Sequence, residues 1–284
     1  MAIKYLAGDR LIGTAAERAA LTTENVVSAT WTTDLSSATG WTNDNTSDLE
    51  VTGGVIQYKD NDYNYETTYY DMTAIGGITG GISNTAWILR FKWYLTGTAS
   101  TDDPLFAFSF TEDASQAVTD NGDALGFYIY HDRNNTWRKY FNITKADTTS
   151  TRGTASVVDE GFTYSNNTWY WTEIKKDGST LTIKTFDSAD YDTQILDSGN
   201  NTASDGTITT IIPAGVGTLR YLTAGHHTQG SGLTVQIDDI QFWDGVSSTS
   251  SFVYPNLPNG AIFEESDTGK HYMFDGTDTW NEVT

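Results

Sequence analysis

Apolar and polar positions alternate with period two over most of the chain, which predicts strands rather than helices. The clearest run is Trp87-Ile-Leu-Arg-Phe-Lys-Trp-Tyr-Leu95, where Trp87, Leu89, Phe91, Trp93 and Leu95 share one face and Arg90 and Lys92 take the other. A slip of one residue would bury both cations, so the register of this strand is firmly set. Residues 105–110 alternate more weakly, with Phe106, Phe108 and Phe110 opposing Leu105 and Ala107, as expected of a strand covered on both faces. Residues 125–130 and 136–143 flank His131-Asp-Arg-Asn-Asn135 as a predicted hairpin. Residues 169–176 and 181–186, joined by Asp177-Gly178-Ser-Thr, predict a second hairpin with a glycine-assisted turn. Residues 219–224 and 235–243 complete the set. Short strands separated by Gly, Asn, Asp and Ser loops predict a two-sheet sandwich over residues 26–248.

The two ends read differently. In residues 1–25, Thr14-Ala-Ala-Glu17 is a capping-box pattern that opens a short helix through about Leu21. In residues 249–284, the strand-like runs 261–265 and 271–274 are joined by Ser266-Asp-Thr-Gly-Lys270, and Asp275-Gly276 turns the chain back toward Trp280. A unit this small buries too little apolar surface to stand alone, so it must dock on something.

Composition supports the β reading, because β-branched and aromatic residues are plentiful while Leu, Lys and Glu are thin. A net charge of −21 in 284 residues argues against binding to nucleic-acid backbones, which needs a basic face, and disfavours anionic membrane surfaces. Cysteine is absent, so disulfides and thiolate metal sites are excluded. The first ten residues lack the apolar stretch of a secretory signal, and no apolar run approaches the length of a membrane span.

Two resemblances sharpen this picture. Tyr70-Asp-Met72, Trp87-Ile-Leu-Arg-Phe-Lys92, Trp171-Thr-Glu-Ile-Lys-Lys-Asp-Gly-Ser-Thr-Leu-Thr-Ile183 and Val235-Gln-Ile-Asp-Asp-Ile-Gln-Phe-Trp243 resemble the strands of concanavalin A-like jelly rolls of the laminin-G and carbohydrate-binding kind. The tail, Phe263-Glu-Glu-Ser-Asp-Thr-Gly-Lys-His-Tyr-Met-Phe-Asp-Gly-Thr-Asp-Thr-Trp280, resembles a terminal segment of tail and other virion structural proteins of phages and archaeal viruses. Lys4 to Leu21 resembles the opening of the same proteins. The expectation is an all-β jelly roll with a helical head and a β-hairpin tail, in a non-enzymatic tail, fibre or capsid-decoration protein. Such a protein would sit at the virion surface, reach it through assembly and lysis, and form homo-oligomers with other virion proteins as partners. Phe263, Tyr272, Phe274 and Trp280 are the expected assembly residues. The runner-up is a carbohydrate-binding or adhesive cell-surface module, and a glycoside hydrolase of the same fold comes third.

Glycosidases of this fold carry Glu-x-Asp-x-x-Glu, yet Glu50, Glu66, Glu112, Glu160 and Glu173 each lack an Asp two residues on, so no catalytic residues are assigned. His226 and His227 read as part of a loop after Gly225. Asp238-Asp239 interrupts the last strand and suggests a bulge. Adjacent carboxylates there are costly unless solvated, hydrogen-bonded or neutralised by a cation. The jelly-roll resemblance implies a structural calcium at Asp238 and Asp239, with Asp34, Asp44, Asp48 or Glu50 as partner; two solvent-facing carboxylates are the alternative. For host glycans, the candidates are the tyrosine run containing Tyr63 and Tyr65, and the hairpin surface of Tyr128, Tyr130, Trp137 and Arg138. The same rings could equally fill the sandwich.

Overall fold

The computed structural model describes residues 4–6, 10–19, 27–43, 49–59, 65–96, 105–114, 122–131, 137–144, 165, 167–191, 207–212, 214–227, 234–249, 259–275 and 279–283. The strands in the first half of the chain are β1 (Lys4–Leu6), β2 (Arg10–Gly13), β3 (Trp31–Thr33), β4 (Trp41–Asn43), β5 (Leu49–Thr52), β6 (Val55–Lys59), β7 (Tyr65–Asp71), β8 (Ala86–Thr96), β9 (Leu105–Thr111) and β10 (Ala124–His131). They continue with β11 (Trp137–Thr144), β12 (Trp169–Asp177), β13 (Thr180–Phe186), β14 (Thr207–Ile211), β15 (Tyr221–His227), β16 (Thr234–Asp244), β17 (Ile262–Glu265), β18 (His271–Phe274) and β19 (Trp280–Val283). The one α-helix among the described residues, α1, spans Ala15–Ala19. The chain divides into two compact units, residues 29–247 and residues 1–28 with 248–284.

The larger unit is an all-β jelly-roll sandwich. One sheet runs β11-β10-β9-β15-β7-β4; the other runs β14-β13-β12-β8-β16-β6-β5, with β3 also paired to β16. Strands far apart in sequence, such as β8 and β16, lie side by side and antiparallel. The register follows the hydrophobic pattern: Trp87, Leu89, Phe91, Trp93 and Leu95 are buried in the core. Across the sandwich they meet the phenylalanines of β9, with Phe91 and Phe108 edge-to-face at 4.8 Å and Trp87 and Phe110 at 4.9 Å. Each buried ring contributes roughly 2–3 kcal/mol of transfer free energy. Ala107, Ser109 and Thr111, on the opposite parity of β9, are buried as well, so this strand is covered on both faces. Its pairing with β10 is tight. A Cβ added at Gly126 would lie 2.5 Å from the Phe108 carbonyl oxygen, so only glycine lets the two backbones approach.

The bulge expected in β16 is present. Asp238 pairs with Lys92 and Gln241 with Arg90, so Asp239 and Ile240 together oppose the single residue Phe91. The extra residue is Asp239, at φ +50°. This shift returns Ile240 to the core beside Ile237, which explains the broken alternation in the sequence.

Head and tail, read as separate segments from the sequence, form one unit. Its sheet runs β1-β2-β17-β18-β19, with β2 and β17 parallel and Leu11 opposite Phe263. Leu11, Ala261, Phe263, Tyr272, Phe274 and Trp280 make its core. The partner that the tail's small size demands is therefore the head of the same chain. The capping box is formed: the Glu17 amide donates to Thr14 Oγ1 at 3.2 Å and the Thr14 amide to Glu17 Oε2 at 2.7 Å. Asp267, in the turn after β17, accepts the Ala15 amide at 3.0 Å and so binds the start of α1 to the tail.

The turn sequence of the tail is explained by one buried carboxylate. Glu265 accepts from Arg18 Nε at 2.7 Å and from the Thr268 hydroxyl. Burial alone would raise its pKa, but these hydrogen bonds outweigh burial and hold it below the usual carboxylate value. Arg18 also lies 3.6 Å over the Tyr272 ring.

Candidate functional site

The polar parity of β8, β12 and β16 builds an outer face on the larger sheet that carries both rings and charges. Because Trp93, Tyr170 and Ile174 point inward, Lys92, Tyr94, Trp169, Trp171 and Glu173 must point outward. The pairing register then sets Tyr94 beside Trp169, Lys92 beside Trp171 and Arg90 beside Glu173. Tyr94 and Trp169 are half-buried, with ring centroids 5.2 Å apart at 39°. The Tyr94 hydroxyl and Thr96 Oγ1 both donate to Asn167 Oδ1 at 3.0 Å, which holds the Tyr94 ring in place.

Ion pairs frame these rings. Arg90 Nε donates to Glu173 Oε2 at 2.8 Å, and the guanidinium stacks over Tyr191 at 4.3 Å and Trp243 at 5.3 Å. Burial raises the Tyr191 phenol well above its usual pKa, so it stays neutral. Lys92 Nζ lies 2.9 Å from Asp238 and 2.7 Å from Asp239, and 4.9 Å over the Trp169 ring. Burial would lower the Lys92 pKa, but the hydrogen bonds to Asp239 and Asp238 prevail and raise it. The result is a row of rigid, partly exposed rings with fixed polar neighbours. Such a row can stack on the apolar face of a sugar ring and hydrogen-bond its hydroxyls.

The residues singled out from the sequence fare unevenly. Tyr63 lies outside the described residues, and Tyr65 opens β7 opposite His227. Tyr128 is only 8% exposed, which removes it as a free contact surface. Tyr130 pairs with Arg138 across β10 and β11, while Trp137 pairs with His131 one position away. His226 and His227 belong to β15 rather than to a loop. Phe263, Tyr272, Phe274 and Trp280 are buried against one another, so they form the core of the terminal unit and offer little free surface.

The two adjacent acids named for calcium have a protein cation beside them. The cation that neutralises Asp238 and Asp239 is Lys92, supplied by the neighbouring strand. Asp34 is exposed and accepts the Ser36 amide at 3.0 Å, while Asp44 and Asp48 lie outside the described residues. Among the described residues no group of three acids or histidines converges on a point.

Trp169, Trp171 and Tyr94 were not singled out from the sequence. The signal was there: Trp169-Tyr-Trp171 precedes Thr172 and Ile174 on the inward parity, which puts two tryptophans on the charged face.

No protein-family model and no curated protein matches the chain. Solved structures do. The Emp47p carbohydrate recognition domain superposes with a TM-score of 0.52 at 13% identity, covering 78% of this chain and 97% of that one. The CBM2 module of the evolved Dit of Lactobacillus casei BL23 phage J-1 superposes with a TM-score of 0.51 at 14% identity, again covering 78% and 97%. At such identities the likeness shows a shared concanavalin A-like jelly-roll fold and nothing finer.

Proposed function

We propose that the protein is a non-enzymatic virion structural component, in a tail, fibre or capsid decoration, whose sandwich binds a host-surface glycan. The observation that carries the binding half is the row of Tyr94 and Trp169 beside Lys92 on the outer face of the larger sheet. The fold is one that carbohydrate-recognition domains use, and one of its neighbours is a module of a phage protein. The virion half rests on the head and tail. The sequence that resembles virion termini has a physical part for each of its key residues: Phe263, Tyr272, Phe274 and Trp280 pack, Glu265 binds Arg18 and Thr268, and Asp267 binds α1.

Assembly into a homo-oligomer, or onto other virion proteins, falls to the outer surface of this terminal sheet. Met273 and Val283 are exposed there on β18 and β19. Four acids of the sandwich, Asp71, Glu173, Asp238 and Asp239, are each engaged by a cation, which fits non-enzymatic action.

A glycan array probed with the full-length protein and with Trp169→Ala tests the binding half. Binding that Trp169→Ala abolishes while the fold is retained is expected; binding unchanged in the variant would refute the assigned surface. Immunogold labelling of particles from the producing host tests the virion half. Label found only on cells would favour the adhesive-module reading instead.

A further inference from the structure

The larger sheet ends on β14, and among the described residues no strand continues it. β14 pairs with β13 in an unbroken register, with Ile211 opposite Thr180 and Thr207 opposite Lys184. One bond fixes which backbone groups that pairing uses: the Ile212 amide donates to the Ser179 carbonyl at 2.7 Å. Antiparallel bonding alternates by residue, so Ile208 and Thr210 also bond toward β13. The amides and carbonyls of Thr207, Thr209 and Ile211 therefore point off the edge of the sheet.

Open edges are usually blunted by charge, proline, a bulge or shortness. At the other edges of the sandwich, β5 carries Glu50, β11 carries Arg138 and Lys139, and β4 is three residues long. β14, Thr-Ile-Thr-Thr-Ile, has none of these protections. Ile211 is 65% exposed, the most exposed large apolar side chain among the described residues. Thr209, on the same face, is also exposed, with its hydroxyl 3.3 Å from Thr182 Oγ1.

Charge and symmetry select what covers this edge. In a chain of net charge −21, residues 206–219 carry no charge, and the one charged residue of β13 is Lys184. Two acidic molecules can bring these edges together without facing carboxylates. The strand is also its own complement. Antiparallel pairing about Thr209 sets each Thr207 opposite an Ile211, and every outward-pointing residue then exchanges two backbone bonds with its opposite.

We infer that β14 is an interface for a second copy of this chain, the two strands pairing antiparallel across a two-fold axis at Thr209. Each Ile211 is then covered by the opposing strand. The axis stands perpendicular to the sheet, so the outer faces of both copies lie on one side. One short strand is a small interface, so the dimer dissociates in the micromolar to millimolar range and is favoured where copies are concentrated. This contact depends neither on the proposed glycan surface nor on the terminal sheet.

Sedimentation equilibrium of the full-length chain, up to about 1 mM, should show a monomer–dimer equilibrium that tightens as salt screens the repulsion. Thr209→Pro removes the amide at the axis, which β13 does not use. It should leave the circular dichroism spectrum intact and weaken dimerisation at least about tenfold, since both bonds of the central pair are lost. Should that variant not fold, Ile211→Glu puts a charge on the exposed end of the edge and should weaken the dimer comparably. Spin labels read the register separately. The chain has no cysteine, so Lys175→Cys carries a single label. Lys175 lies opposite Thr182, and Thr182 opposite Thr209, so the two labels stand five strand spacings apart, about 24 Å. A parent that stays monomeric at about 1 mM would overturn the inference, as would a label separation beyond about 35 Å. So would a dimer that both folded variants leave unchanged, which would place association elsewhere.

Discussion

Replacing Arg18 by methionine removes the cation beside a carboxylate that is only 2% exposed, while Arg18 itself is 20% exposed. Breaking a buried ion pair from one side costs about 3–5 kcal/mol, because the remaining charge is left in a poor solvent. Here the cost falls at the lower end, about 3 kcal/mol, since one-fifth of the guanidinium already meets water and Thr268 still donates to Glu265. The loss of the Arg18 contact with the Tyr272 ring is included in that figure. Native-state hydrogen exchange reads it directly. The Glu265 amide, bonded to the Lys270 carbonyl, and the Phe274 amide, bonded to the Ala261 carbonyl, should exchange about 150-fold faster. Amides of β8, in the other unit, should keep their rates. Glu265 titrates below 4.5 when folded, so its stabilisation is present above that value and is lost as pH falls through the lowered pKa. The deficit in Arg18→Met should therefore be greatest near neutrality and shrink in acid. Adding Glu265→Met to Arg18→Met should restore most of the loss, as removing both charges leaves none stranded. Acceleration of less than about fivefold, or equal acceleration in β8, would refute the reasoning.

Three further outcomes follow from the geometry. Lys92→Met leaves Asp238 and Asp239 without their cation, so the melting temperature should fall and then respond to added calcium; a variant as stable as the parent would show that the pair needs no counter-charge. Asp71, bonded to Arg220 Nε at 3.0 Å and to Thr73, is brought down to about 2, so it stabilises the fold above pH 4 and loses that effect as pH falls through 2. Because the pair is partly exposed, Asp71→Asn should cost only about 1 kcal/mol near neutrality and nothing below pH 2, read from urea unfolding against pH. Gly126→Ala should cost about 2 kcal/mol or more, since its methyl would lie 2.5 Å from the Phe108 carbonyl oxygen; an unchanged urea midpoint would mean that the strands separate easily.

The sandwich was legible in the sequence because a period-two pattern leaves little choice of register. Trp87 to Leu95 states its own inward face, and the doubled Asp238-Asp239 announces its bulge. The source of the compensating charge was not legible, because nothing local ties Lys92 to a strand about 150 residues further on. The same holds for the partner of the tail: Leu11 and Phe263 meet only through a long-range parallel pairing, for which neither end carries a signal. Ring density along the sequence points to Tyr128, which is buried, whereas parity along β12 points to Trp169 and Trp171.

The pairing of β2 with β17 also sets an order in time. Arg10 and Glu264 are 254 residues apart, so during synthesis the head must wait for that intervening stretch before its sheet can close. Until then Leu11 has no Phe263 to cover it, and any product cut short before β17 carries that unfinished edge permanently. If assembly depends on the closed terminal sheet, the fold inspects its own progress: only a chain translated through β19 presents the surface that neighbours recognise.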